Sequence, residues 1–411
     1  MASASWESCL LKNKQGAYLP CTSNVTAILT HTKEWRDVLT YDAFAGEIVT
    51  RKVPPWCEDT VPEKPAPGDW THEDTIRTCV WVTREWNCPV NATTVAEAVQ
   101  IVARLSTIHP VRDRLNETKW DRKARLDTHL IRCAEAPDTL YVRAVTKNFF
   151  LGAVARVMQP GEKVDTMLIL EGNQGIGKST WFRLIAGEEW FLETSIDIGS
   201  KDGYQALRRK WIIELGELDS LNRGEVSRVK QFLTAVKDTY RPSYGKSMID
   251  FPRQCVFGGS VNPDGGGYLK DGTGARRFWP VPVGKIDLKA VREERAQLWA
   301  EAMFRYRQCE KWHLRDPRLL KAAADEAEQR RQTDPWEEHF AHWLQEHARV
   351  VKGVTTTEMM SRALDMPKDR QGRGEQMRAA QALRAIGWDD IRQNHDGQRR
   401  YHPNKSWKQP K

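Results

Sequence analysis

The chain has 411 residues, 40% hydrophobic and 29% charged, with a formal net charge of +8. That length implies two or three domains with room for a sizeable core. No apolar run nears the roughly 20 residues needed to cross a bilayer, which excludes helical membrane spans, and the excess of Lys and Arg fits a nucleic-acid partner. The eight cysteines are scattered with no C-x-x-C pair, so the pattern argues against zinc ribbons and disulfides and for the reduced thiols of a cytoplasmic protein. Met1 to Trp6 shows no basic segment leading into an apolar one, and no secretory leader is expected. The N-x-[ST] triplets at Asn24, Asn91 and Asn116 then carry no meaning.

In chain order, residues 1–105 read as an α/β accessory domain. Leu39–Phe44 and Ile48–Thr50 look like two strands around Gly46. A proline-rich stretch over 54–69 reads as a loop. Helical spacing follows over 71–86 and 95–108, with Ala96, Val99, Val102 and Ala103 on one apolar face. The tryptophans at 56, 70, 81, 86 and 120 read as core rather than as platforms for bases. Residues 106–160 read as a helical collar leading into a further domain over 161–330.

The apolar run Asp165–Leu170 reads as a buried strand, and Trp181–Ala186 as the helix that follows. Between them Gly172-Asn-Gln-Gly-Ile-Gly-Lys-Ser179 fits G-x-x-x-x-G-K-[ST], in the strand-loop-helix context such a phosphate-binding loop requires. Gly172, Gly175 and Gly177 let the backbone turn its N–H groups inward. Asn173, Gln174, Ile176 and Thr180 complete the cradle at the helix's positive end. Lys178 is expected on the β- and γ-phosphates of ATP, and the Ser179 hydroxyl on Mg²⁺. Lys210-Trp-Ile-Ile-Glu-Leu-Gly-Glu217 reads as a second buried strand ending in acids. Glu214 is assigned to metal and Glu217 to the attacking water, and the two roles could be exchanged. Val226–Val236 is an amphipathic helix with Val229, Phe232, Leu233 and Val236 inward. Tyr240–Arg253 reads as two strands around a Gly245-Lys246 turn, with Arg241, Lys246 and Arg253 about it. Cys255–Asn262 is a further strand, with Asn262 either at the phosphate or starting a turn. Arg276 and Arg277 follow a glycine-punctuated loop; arginine there serves either a transferring phosphoryl group or a nearby carboxylate.

The C-terminal third reads as helices over 291–306 and 318–330, a boundary at Pro335, then a winged-helix-like domain over 335–404. That domain has helices at 336–347 and 378–386, a helix start at Thr355, and strands at 390–393 and 398–402. From Arg362 to Lys411 there are 12 Lys and Arg against 6 Asp and Glu, so most of the net charge lies here. Arg378 and Arg384 on a recognition helix, with Arg399 and Arg400 on the wing, would bind duplex phosphates. Such domains also bind proteins.

His109-Pro-Val-Arg-Asp113, Lys119-Trp-Asp121, Arg125-Leu-Asp127, Ala155-Arg-Val157 and Pro160-Gly161 precede the loop in an order that resembles the virulence-associated protein E (VirE) family of phage and genomic-island ATPases. That family looks like the superfamily-3 helicases, AAA+-type ring motors. The resemblance covers about residues 70–285. It implies an α/β P-loop core, ATP and Mg²⁺ at the interfaces of a homo-oligomer (a six-membered ring), and single-stranded and duplex DNA as partners. By the same resemblance Asn262 corresponds to a sensor of the γ-phosphate. The hairpin at Lys246 corresponds to one that grips DNA in a central pore, and Arg276 or Arg277 to an arginine finger, Arg276 being favoured. The expected activity is that of an ATP-dependent helicase or translocase of phage or island replication inside a bacterial host. The alternative is an initiator or phage-interference regulator that ATP switches without any unwinding. No acidic triad suited to polymerisation is visible in the first hundred residues.

Overall fold

The computed structural model describes residues 6–57, 68–194, 201–216, 223–241, 248–262, 268–269, 275–331, 333–348, 350–393, 399–404 and 407. Glu217 and the Gly245-Lys246 turn lie outside them. The chain divides into two compact units, 1–264 with 273–328, and 265–272 with 329–411.

The first unit opens with helix α1 (Thr22–His31), then strands β1 (Leu39–Asp42) and β2 (Glu47–Thr50), paired antiparallel. Their turn is set by the Asp42 carboxylate, which accepts from the Phe44 and Ala45 amides at 2.8 and 3.0 Å. Strand β3 (Gly68–Asp69) extends β2. Helix α2 (His72–Trp86) begins at a Thr71–Asp74 capping box, and α3 (Ala92–Leu105) at an Asn91 cap. The buried face of α3 is Val95, Ala98, Val99, Val102 and Ala103, while Ala96 is exposed. The inward stripe is therefore centred on Val95, Val99 and Val102, and Ala96 lies just past its edge, beside Ala103. Around it Trp35, Trp56 and Trp81 build a small core.

Strand β4 (Thr107–Ile108) joins β1 in parallel, and helices α4 (Pro110–Glu117), α5 (His129–Ala134) and α6 (Leu140–Met158) follow. These helices make up the segment read as a helical collar over 106–160. Helix α6 is apolar on all sides, from Val145 and Phe149 to Leu151 and Val154, and is buried all round, as such a helix must be. It shares one hydrophobic core with the central sheet.

That sheet is built from β5 (Met167–Glu171), β6 (Phe191–Thr194), β7 (Ile212–Leu215), β10 (Val256–Val261) and β11 (Phe278–Pro282). Helices α7 (Lys178–Ala186), α8 (Lys201–Ala206) and α9 (Arg223–Thr234) are interleaved with them, and so is a separate antiparallel hairpin, β8 (Lys237–Tyr240) with β9 (Ile249–Pro252). The sheet is wholly parallel in the order β11-β5-β10-β7-β6. Every residue of β5 is buried, which is why it reads as an uninterrupted apolar run. The chain leaving β5 crosses to β6 at the far edge, whereas the chain leaving β10 crosses back to β11 beyond β5. The connections leaving the neighbouring strands β5 and β10 thus run in opposite directions, the kind of switch at which open α/β sheets hold their ligands. In α9, Val229, Phe232 and Leu233 are buried, but Val236 lies past the helix end and is exposed. Helices α10 (Leu288–Arg307) and α11 (Pro317–Gln329) follow.

The second unit holds α12 (Pro335–Glu346), α13 (Thr356–Ala363) and α14 (Arg373–Ala385), then β12 (Asp390–Gln393) paired antiparallel with β13 (Arg399–His402). Its core is Phe340, Leu344, Met359, Met360, Leu383 and Trp388. Among the described residues no helix is long and apolar enough to cross a membrane.

Candidate functional site

The loop between β5 and α7 lies at the C-terminal end of the sheet, at the divergence point. It is pinned on both flanks. Gly172 N–H donates to Val261 O at 3.1 Å, and the Val283 amide donates to Glu171 O at 2.7 Å. A Cβ on Gly172 would stand 2.5 Å from Val283 O and from Ile176 Cδ1, so no other residue fits there. Gly175 and Gly177 adopt φ of +83° and +100°, a region glycine enters without strain. Asn173, Gln174 and Gly175 form the exposed tip. Lys178 opens α7, directly after the left-handed Gly177, so its side chain turns back under the loop. Its ammonium donates to Gly172 O (2.6 Å), Asn173 O (2.9 Å) and Asn262 Oδ1 (2.9 Å). Burial pushes the Lys178 pKa down, and the Glu214 charge opposes that shift. Ile176, Ser179 and Thr180 are half-buried around it.

Two strands from β5, on β7, Glu214 has no exposed surface. Its Oε1 accepts the Ser179 hydroxyl at 2.8 Å, while its buried Oε2 has no hydrogen-bond partner. Burial pushes this carboxyl's pKa up, against the nearby Ser260 and Ser179 hydroxyls. A hydroxyl beside a carboxylate with a spare buried oxygen is the hard-oxygen donor set of Mg²⁺. Exposed amides, an ammonium and these oxygens at the start of a nine-residue helix can together receive an anion with its divalent counter-ion. Lys178, Ser179, Glu214 and Asn262, read separately from the sequence, thus come together.

Arg276 and Arg277 do not join them. They precede β11, whose residue Phe278 pairs with Met167 at the start of β5, so they sit at the sheet's N-terminal edge. The loop at Gly172 is six residues further along the strands, about 20 Å at the strand rise, beyond a side chain's reach. The two arginines also differ. Arg277 is half-buried with Nε 4.0 Å from Asp165, whereas Arg276 is exposed. Both line a cavity of about 240 Å³ with Lys163, Trp279 and His313.

The residues read as DNA contacts divide as well. The β8–β9 hairpin is present with Arg241 exposed at the turn end of β8. Arg253 is removed from the set. Its side chain is 1% exposed, it holds Asp238 with Nε at 2.9 Å and Nη2 at 2.6 Å, and it donates to Phe232 O. A buried guanidinium spent on a buried carboxylate cannot meet a phosphate. In the second unit, Arg378 binds Asp334 through two N–H groups and lies over the Trp336 ring. Arg400 binds Glu358 and Gly353 O. Both hold their domain together, leaving Arg384 and Arg399 exposed.

Sequence reasoning missed the anchor of α7. Trp181 donates its indole N–H to His129 Nε2 at 3.1 Å, and His129 Nδ1 stands 3.3 Å from Glu294, which Arg132 grips with two N–H groups. Since Nε2 accepts, the ring proton is assigned to Nδ1. Cys133 lies near the same carboxylate, and the three side chains are close enough for a metal ion. The proton on Nδ1 and the grip of Arg132 account for the cluster without one. No spacing in the chain signals this contact between α5, α7 and α10.

The chain matches the virulence-associated protein E-like domain over residues 115–333, more than half its length. No curated protein matches it. Among solved structures it is similar to the A-form apo structure of the NrS-1 C-terminal region, at 12% identity over 89% of this chain and 96% of that one, TM-score 0.42. It is also similar to the apo structure of NrS-1 residues 305–718, at 12% identity over 89% and 95%, TM-score 0.44, and to an A-form of the same region at 11% over 89% and 96%, TM-score 0.45.

Proposed function

We propose, for a chain that belongs to the virulence-associated protein E-like family, that it is a Mg-ATP hydrolase of phage or genomic-island replication that works between copies of itself and moves along single-stranded DNA. The observation that carries this reading is the convergence of Lys178, Ser179, Glu214 and Asn262 on one loop at the sheet's divergence point. The loop amides and Lys178 would cradle the phosphates. Ser179 and Glu214 would hold the magnesium ion, which when bound neutralises charge building up on the phosphates. Asn262 already touches the Lys178 ammonium and would fix the orientation of the terminal phosphate. Arg276, exposed at the opposite edge, would serve the nucleotide of a neighbouring copy, with Arg277 and Asp165 holding it in place. Glu217 would orient water, and Lys246 at the hairpin tip, with Arg241, would grip the strand. Arg384 and Arg399 would meet duplex phosphates.

Magnesium-dependent ATPase activity tests the reading. Lys178→Ala should reduce the rate at least 100-fold, the scale set by removing one preorganised charge contact. A wild-type chain with no magnesium-dependent nucleotide affinity would sink it. The same motifs would serve an ATP-switched initiator, and strand displacement separates the two. A motor loses unwinding but keeps ATPase activity in Lys246→Ala, while an initiator never displaces a strand.

A further inference from the structure

Trp120, unlike the other described tryptophans of the N-terminal half, packs into neither of the two hydrophobic cores there. It is half-buried on the surface of α10, its ring 4.9 Å from that of Phe304, itself 44% exposed. The loop that carries it is held rigidly. The Asp121 amide donates to Gln297 Oε1 (2.9 Å), Gln297 Nε2 donates to Lys119 O (3.2 Å), and the Trp120 indole donates to Lys123 O (3.1 Å). The Arg125 amide is fixed by the buried Glu301 at 2.7 Å.

None of these bonds uses the side chains of Lys119, Arg122 or Lys123. All three are exposed and, among the described residues, none makes an ion pair. The loop's own carboxylate, Asp121, is neutralised by two hydrogen bonds from Arg125. Arg307, three residues beyond Phe304 on α10, adds a fourth cation, held among the described residues by the neutral Asn116. Glu117, next to Asn116 in sequence, is an exposed acid. Exposed cations of one sign beside a partly exposed ring pair repel one another and contribute little to folding.

We propose that this surface binds a nucleic-acid strand, with Lys119, Arg122, Lys123 and Arg307 on its phosphates and the Trp120–Phe304 pair against a base. Paired cations and rings are what a single strand needs, since phosphates supply charge and every base has a face to stack. An acidic peptide would use the cations and leave the rings idle. The inference rests on the strand-moving reading and adds a contact outside the β8–β9 hairpin and the second unit.

The test is fluorescence anisotropy of a labelled oligo-dT strand against the full chain, without nucleotide and across a salt series. The triple variant Lys119→Ala/Arg122→Ala/Lys123→Ala should flatten the slope of log affinity against log salt by about 2, at roughly 0.7 per phosphate contact. Phe304→Ala should weaken binding about tenfold at every salt concentration with the slope unchanged. Both variants should keep the wild-type basal ATPase rate. Variants that match the wild type in affinity and slope overturn the assignment while leaving the motor reading standing. A polyglutamate peptide that binds the wild type and not the triple variant, with the strand unaffected, assigns the surface to an acidic protein and overturns it too. A wild type that binds no strand at low salt defeats both readings.

Discussion

A carboxylate with no exposed surface and one unpartnered oxygen costs the folded chain free energy, and Glu214 is such a group. Its pKa is raised by burial, so the native state resists its charge at neutral pH. Replacing it with the isosteric amide removes that cost. Glu214→Gln should therefore raise the thermal midpoint of the ligand-free protein while lowering magnesium-dependent ATPase activity at least 100-fold. A midpoint that falls together with activity would mark Glu214 as structural only. Arg253 makes the opposite case. Removing one partner of a buried ion pair leaves an uncompensated charge, at a cost of about 3–5 kcal/mol. Arg253→Met should show that loss in denaturant unfolding, with the salt slope of DNA binding unchanged; a flattened slope would return Arg253 to the phosphate contacts. At this scale Lys178, Ser179 and Gly177 were legible because a phosphate loop fixes residue types at fixed spacing. The partners of Arg253 and Arg277, namely Asp238 and Asp165, were not, because no local pattern marks a carboxylate that folding brings to an arginine.

Helix α7 carries Lys178 at its first position and is tethered from outside by His129 through Trp181. Burial is the main cause lowering the pKa of both His129 and His109, so the native state keeps them neutral where the unfolded chain, titrating near 6.5, takes up protons. Above that pH neither state binds them. Below it the unfolded state binds more, and stability falls as pH falls. The thermal midpoint should drop between pH 7.5 and 5.5, and the drop should shrink in His129→Gln. An unchanged pH dependence in that variant would remove His129 from the account. Elements with one dominant repeat were readable. The helical spacing of α3 was legible from Val99, Val102 and Ala103, although its inward face takes Val95 and Ala98 rather than Ala96, and β5 is apolar enough to be a central strand. The surroundings of α6 were not legible, because a sequence apolar on all sides does not say which neighbours cover it.

For the whole molecule, the parallel sheet sets a distance that no side chain can close. Lys178 and Asn262 stand at one end and Arg276 at the other. A site that needs both sets must draw them from two copies, and the proposed function depends on that division. The basic excess was legible in the C-terminal unit as a count. Its use was not, since Arg378 and Arg400 are tied to Asp334 and Glu358. The most direct measurement is the ATPase rate of Lys178→Ala and Arg276→Ala proteins, alone and mixed in equal amounts. The account predicts that each alone is reduced at least 100-fold. The mixture should recover activity, because some interfaces then join an intact loop to an intact arginine. Full activity in Arg276→Ala alone, or a mixture as inactive as its parts, would contradict it.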